Sequence, residues 1–376
     1  MAAERTRILI VDDSAVMRSL LRAVVCNDGT LEVAGTAADG ATALQAIKAL
    51  HPDLVLLDVE MPVMDGLATL RELRRCGYLL PVIMCSSFTQ RGARVTIEAL
   101  ACGASDYVAK PAGQEDRETG MRVLAQDLIP KIKALTRGLQ PGAPSNLASR
   151  IVPGAPIRQT SAVSSASGAS FPRVVVIGVS TGGPAALDRV LPALPNTFPL
   201  PVLVVQHMPE LFTRILAERL SLRCPLKVRE AAEGDPLQHG TIFIARGNWH
   251  MEIRPAACAS AAPTLHLTQE PLENHCRPAV DVLFRSAVSV YGSGVLAIVL
   301  TGMGSDGLAG CRLLRACGGT VLAQDQATST VWGMPGAVAA AGLANGVYPL
   351  DAIGPENVRL AAGSHGMTRA RQEPAA

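Results

Sequence analysis

The chain has 376 residues, enough for two domains that each bury a core. Lys+Arg 34 against Asp+Glu 32 leaves a formal net charge of +2, and six Phe, four Tyr and two Trp offer little to stack bases on, so nucleic acid is not an expected partner. Nine cysteines without a C-x-x-C pair read as free thiols, and no apolar run nears the roughly 20 residues that span a bilayer.

The opening MAAERTRILIVDDS reads as a strand and not as a signal peptide, so a cytoplasmic protein with no membrane insertion is expected. Strands are predicted at Ile8–Val11, Glu32–Thr36, Leu54–Asp58, Pro81–Cys85 and Tyr107–Ala109. Helical patterns fall between them at Ser14–Val25, Gly40–Leu50, Gly66–Arg75 and Gly92–Cys102. Apolar strands alternating with helices imply a parallel sheet covered on both faces, with a ligand crevice at the C-terminal strand ends. Asp12 and Asp13 close the first strand, Asp58 the third, Ser86 the fourth and Lys110 the fifth. A cis bond between Lys110 and Pro111 would aim the ammonium inward. Three converging carboxylates repel one another unless a hard cation sits among them, and oxygen ligands suit Mg²⁺. Asp13 alone also fits the N-cap of the Ser14 helix. All five residues at strand ends together point to phosphoryl transfer onto Asp58.

Residues 140–170 are rich in Pro, Gly, Ala and Ser and read as a flexible linker. The predicted division is a first domain over residues 1–138, a linker over 139–171, a second domain over 172–352 and a disordered tail over 353–376. Strands of the second domain are predicted at Val174–Gly178, Val202–Gln206, Thr241–Ala245, Val295–Thr301 and Thr320–Gln324, which makes it a doubly wound, mainly parallel α/β sheet. The first of these runs into Gly178-Val179-Ser180-Thr181-Gly182-Gly183, a turn able to present a serine hydroxyl to a base. Pro184 suits the first turn of the next helix. By itself the stretch is equally a βα corner that cradles a phosphate. His207 after VLVVQ and Asp306 after Val295–Leu300 also lie at strand ends, so the three could meet in one crevice as nucleophile, base and acid, although a strand-capping histidine and a turn aspartate would look the same. His239, His250, His266 and His275 follow no comparably buried strand. The order Ser, His, Asp departs from the Ser, acid, His order of the α/β-hydrolases. The glycines of TGMGSDG allow backbone N–H groups to approach a substrate oxyanion.

ILIVDDS, LVLLDVEMPVMDG, PVIMCSS and GASDYVAKP, in that order, resemble a response-regulator receiver domain over residues 6 to about 137. That resemblance implies a five-stranded (βα)5 fold and phosphorylation of Asp58 by a partner histidine kinase. It also implies Mg²⁺ held by Asp12, Asp13, Asp58 and the Glu60 carbonyl, with Ser86 as switch hydroxyl and Lys110 as the cation that senses phosphate. From about Arg173 to Leu350, the blocks IGVSTGGPAAL, VLVVQHMPELFT, EAAEGDPLQHGTIFIA, RPAVDVLFRSA, LTGMGSDGLAG and AQDQATSTVWGMPGAV resemble the chemotaxis-receptor methylesterase family (protein-glutamate methylesterase/glutaminase, CheB). This second resemblance implies Ser180 as nucleophile, His207 as base and Asp306 as its orienting acid. Thr181 would support the histidine, the Met303 N–H would bind the oxyanion, and Arg277 to Asp281 would line the cleft. The implied activity is phosphorylation-activated hydrolysis of glutamyl methyl esters, and deamidation of glutamines, on methylated chemoreceptor helices, without a cofactor for the hydrolysis. The unphosphorylated receiver would cover the Ser180 cleft through Gly92–Cys102 and Asp106–Pro111. Ala279, Arg246 and Trp332 depart from the family pattern and bear on the shape of the cleft.

Overall fold

The computed structural model describes residues 5–87, 89–111, 117–136, 171–258 and 260–363. The predicted linker lies outside them except for Phe171. In the first domain the elements are β1 (Thr6–Val11), α1 (Ala15–Cys26), β2 (Leu31–Ala37), α2 (Gly40–Leu50), β3 (Leu54–Asp58), α3 (Gly66–Arg75), β4 (Val82–Ser86), α4 (Gln90–Ala101), β5 (Asp106–Ala109) and α5 (Arg117–Thr136). Every pairing is parallel, in the order β2-β1-β3-β4-β5. All residues of β3 and β4 are buried because helices cover both faces, which is why their sequences read as unbroken apolar runs. Ser14, Asp39, Asp65 and Thr89 cap α1 to α4 by accepting backbone N–H bonds. The cap of α1 is therefore Ser14 and not Asp13, since only the Ser14 hydroxyl reaches the Met17 N–H. The Lys110–Pro111 bond is not cis; among the described residues the cis bond joins Arg277 to Pro278.

The second domain runs β6 (Val174–Val179), α6 (Gly183–Val190), β7 (Val202–Gln206), α7 (Glu210–Ser221), β8 (Lys227–Glu230), β9 (Thr241–Ile244), β10 (His250–Arg254), β11 (Thr264–Thr268), α8 (Val280–Tyr291), β12 (Val295–Val299), α9 (Leu308–Ala316), β13 (Thr320–Gln324), α10 (Met334–Ala340), β14 (Gly346–Tyr348) and α11 (Leu350–Ala362). Its seven-stranded sheet has the order β14-β13-β12-β6-β7-β9-β8, parallel throughout. Two predicted strands are shorter than expected, and β8, β14 and the antiparallel hairpin β10–β11 come in addition. The chain reverses its winding at β6, which has β12 on one side and β7 on the other. That places the ends carrying Ser180, Asp306 and His207 next to one another, at a topological switch point.

The predicted disordered tail over 353–376 is corrected as far as residue 363, where α11 continues. Ile353, Asn357 and Ala361, four residues apart, form a buried stripe, and the helix packs on α6. Pro355, the sixth residue of the helix, lies past the first turn and gives up the bond its N–H would make to the residue four before it. Residues 364–376 lie outside the described part. Ile353→Ala is expected to destabilise the second domain by about 2–5 kcal/mol in urea unfolding, as a truncation at a fully buried site does.

The two domains share one apolar cluster. Leu100, Ala104 and Tyr107 of the first join Leu187, Phe212 and Leu216 of the second, all buried. Helix α4 lies against α6 and α7, and the Tyr107 ring stacks on Phe212 with centroids 4.6 Å apart.

Candidate active site

Ser180 follows the last residue of β6, on a turn pinned from both sides. Its N–H donates to Thr301 O (3.0 Å), and its carbonyl accepts from Gly183 N (2.8 Å). Gly182 holds a left-handed φ of 78° to make this corner. Gly302 packs against the serine so closely that a Cβ there would stand 2.7 Å from Ser180 Cβ. His207 follows β7, and its Nε2 lies 2.8 Å from Asp306 Oδ2. Because Nε2 faces the carboxylate, Nδ1 is the ring nitrogen not bonded to Asp306. Ser180 and His207 line one cleft of about 700 Å³.

Asp306 is 3 % exposed, and its charge is met by donors on every side. Oδ2 also accepts from Val280 N (2.7 Å), while Oδ1 accepts from Asn274 Nδ2 (2.8 Å), Gly307 N (2.9 Å) and Asp281 N (3.0 Å). Two of these are the free N–H groups of the first turn of α8, where a carboxylate is favoured. Burial raises its pKa, but His207 and the backbone donors outweigh that and hold the carboxyl below its usual value. The same contact acts on the imidazole. Burial disfavours its charge, yet Asp306, together with Cys276, pushes His207 up to about 9.

Three of the four competing histidines are engaged elsewhere. Buried His250 binds Pro271 O and accepts from Ala279 N, His266 meets Glu233, and His239 meets Pro199 O. His275 does line the cleft, beside Arg277. Of the stretch Arg277 to Asp281, only Arg277 and Pro278 face the cleft; Asp281 is buried behind it, accepting from Gly310 N at 2.6 Å. Ala279 is fully buried, so it does not shape the opening. Arg246 pairs with Glu210 and lies over Trp249, whereas Trp332 donates its indole N–H to Gln324 O, behind the glycine-rich turn. The Met303 N–H makes no hydrogen bond among the described residues, and Met303 is not one of the residues that line the cleft of Ser180 and His207.

Thr181 is not placed as the sequence suggested. Its hydroxyl donates to Asp106 Oδ2 of the first domain at 2.7 Å, in a buried bond across the domain junction beside the candidate nucleophile. Leu100, Asp106, Tyr107 and Lys131 of the first domain form part of the cleft wall. Asp106 opens the segment Asp106–Pro111 expected at the cleft, but its bond to Thr181, 75 positions away in the other domain, is not foreseen from the sequence.

In the other crevice, carboxylate oxygens of Asp12, Asp13 and Asp58 all lie within 4.8 Å of one another. Lys110 Nζ bridges Asp58 (2.7 Å) and Asp12 (2.8 Å). Burial chiefly raises the Asp58 pKa, with Asp12 adding to the rise, while Lys110 works against both. Three carboxylates with one ammonium remain a net anionic, all-oxygen set, which fits a hard divalent cation. Ser86 is buried nearby, and its carbonyl accepts the Lys110 N–H at 2.8 Å. The Glu60 side chain turns to Arg91 (3.3 Å).

The family model described as CheB methylesterase matches residues 175–356, and that of the response regulator receiver domain matches residues 8–120. Among curated proteins, the protein-glutamate methylesterase/protein-glutamine glutaminase of Nocardioides sp. is 50% identical over 355 residues, covering 94% of each chain. Its counterpart from Trichodesmium erythraeum is 44% identical over 94% of this chain and 98% of that one. Protein-glutamate methylesterase/protein-glutamine glutaminase 2 of Caulobacter vibrioides is 45% identical over 93% of this chain and 97% of that one.

Proposed function

Because the chain belongs to the protein-glutamate methylesterase/protein-glutamine glutaminase family, with a receiver domain ahead of the esterase domain, we propose that it is a phosphorylation-gated esterase of chemoreceptor helices working through Ser180, His207 and Asp306. The observation that carries this reading is the 2.8 Å contact between His207 and a fully bonded Asp306, in the cleft that Ser180 lines. Ser180 attacks the glutamyl ester carbonyl while His207 takes its proton. The histidine then protonates the departing methanol, and water hydrolyses the acyl-enzyme to free glutamate. A glutamine amide follows the same route and releases ammonia. The Met303 N–H is assigned to the developing oxyanion.

Phosphoryl transfer from a histidine kinase is assigned to Asp58. Mg²⁺, held by Asp12, Asp13, Asp58 and the Glu60 carbonyl, would neutralise charge on the phosphoryl oxygens. Lys110 and Ser86 would then move towards the new phosphate. Access to Ser180 is controlled by the docked receiver. Phosphorylation weakens the docking at α4 and β5 and leaves the triad itself unchanged. The setting is cytoplasmic, in keeping with receptor helices as substrate and with the absence, among the described residues, of a helix long and apolar enough to cross a membrane.

The test is methanol release from methylated receptor, with and without a small phosphodonor. Wild type should accelerate on phosphodonor, and Asp58→Ala should keep the basal rate and lose the response. A wild-type rate indifferent to phosphodonor would remove the gating.

A further inference from the structure

Gln206 is the last residue of β7, 2 % exposed, and sits between the two reactive strand ends. Val179↔Gln206 is the final pair of the β6–β7 register; beyond it the His207 N–H still donates to Val179 O (3.2 Å), and no backbone bond joins Ser180 itself to β7 among the described residues. The Gln206 side chain takes over. Its Nε2 donates to the Ser180 carbonyl (3.0 Å) and to the His207 carbonyl (3.3 Å). Two carbonyl oxygens can be served only by the NH₂ end, which fixes the orientation of the amide. Its Oε1 then points under the serine turn, into the space a side chain at residue 183 would fill. A Cβ on Gly183 would stand 1.8 Å from that oxygen and 2.8 Å from the amide carbon. Gly183 has an ordinary φ, so backbone strain does not explain it. Room for the Gln206 amide does, together with room for Val179, whose Cγ2 would stand 2.8 Å from the same Cβ.

We propose that Gln206 is a positioning residue that clamps the Ser180 turn to the His207 strand end, and that Gly183 is glycine in order to admit it. The proposal rests on the reading of Ser180 and His207 as nucleophile and base. A clamp of this kind acts on the separation of two reacting groups. Gln206 reaches the cleft wall but is only 2 % exposed, so its loss falls on kcat, since misplacement by about 1 Å can cost roughly 100-fold.

The experiment uses the full chain with phosphodonor and methylated receptor, comparing Gln206→Met, Gln206→Glu, Gly183→Ala, the double variant Gln206→Met/Gly183→Ala, and Ser180→Ala. Gln206→Met and Gln206→Glu keep the length of the side chain but lose the paired donors at neutral pH. Each single change at 206 or 183 should lower kcat by about 10–100-fold with KM within about twofold. The double variant should be no slower than the slower single, because both break the same clamp. Full kcat in Gln206→Glu, losses that multiply in the double variant, or losses confined to KM would overturn the clamp. Ser180→Ala separates the two ideas: if it still releases methanol, the nucleophile reading itself fails. A dead Ser180→Ala beside an unimpaired Gln206→Glu rejects the clamp alone.

Discussion

Asp306→Asn is expected to lower kcat for methyl-ester hydrolysis by about four orders of magnitude, the scale seen when a triad acid loses its charge. The five groups around Asp306 are all donors: His207 Nε2, Asn274 Nδ2 and the N–H groups of Val280, Asp281 and Gly307. An asparagine must turn its NH₂ towards some of them, so either the imidazole or the start of α8 loses its acceptor. If the imidazole loses it, the proton moves to Nδ1 and the side facing the substrate can no longer accept one. The pH dependence follows from the same contact. His207 is pushed up to about 9, because Asp306 and Cys276 overcome the effect of burial, and only the neutral ring is a base. The basal rate of wild type should therefore climb from neutral pH and level off near 9. Asp306→Asn removes the principal partner of the imidazolium, so its residual rate should level off at lower pH. Stability moves the other way. The folded-state pKa is raised, so the contribution of the ion pair is complete below about 6.5 and disappears as pH rises through about 9. Methanol release and urea unfolding of both proteins between pH 6 and 10 check these expectations. A wild-type rate flat over that range, or an Asp306→Asn enzyme within tenfold of wild type, would refute the assigned roles.

The parts of this site that the sequence makes legible are those encoded by strand ends. Val174–Val179, Val202–Val205 and Val295–Val299 are runs without a polar side chain because both faces are covered, and the residue types that follow them stand out against that background. Ser180, His207, Asp306 and Asp58 are found in this way. Burial on both faces also leaves little trace of strand order, so the adjacency of β12, β6 and β7 emerges only from the sheet. The hairpin β10–β11 does alternate, as MEI and LHL show, but at five residues per strand the pattern is too short to separate from loop. Helix α11 was obscured by Gly354-Pro355, where a buried stripe overrode two helix-breaking residues. The Asp106–Thr181 bond left no local mark at all. The segment Asp106–Pro111 is expected at the cleft from the receiver resemblance, but nothing around Asp106 tells that its carboxylate meets Thr181.

That bond makes Asp106→Ala the sharpest probe of how the domains hold one another. Asp106 Oδ2 accepts the Thr181 hydroxyl at 2.7 Å in a buried setting, while Oδ1 accepts the Tyr107 N–H at 2.8 Å and lies 4.0 Å from Lys131. A buried hydrogen bond to a charged acceptor contributes roughly 1.5–3 kcal/mol, equivalent to about 10–100-fold in the ratio of docked to undocked receiver. The exposed Arg94–Glu218 pair at the same junction (3.0 Å) is screened by water and should matter far less. Asp106→Ala should therefore raise basal methanol release about 10-fold or more without phosphodonor and correspondingly shrink the fold-stimulation by phosphodonor. Asp106→Asn keeps an acceptor oxygen for Thr181 and should fall between wild type and alanine. Arg94→Ala should change the basal rate by less than about twofold. Asp58 lies on the third strand and is untouched, so all three variants should still form the acyl phosphate on Asp58, and the undocked ones no more slowly than wild type. If Asp106→Ala keeps both the wild-type basal rate and the full response, the polar latch contributes nothing, and docking rests on the apolar contact of Tyr107 with Phe212. In that case Tyr107→Ala would be the variant that opens the cleft.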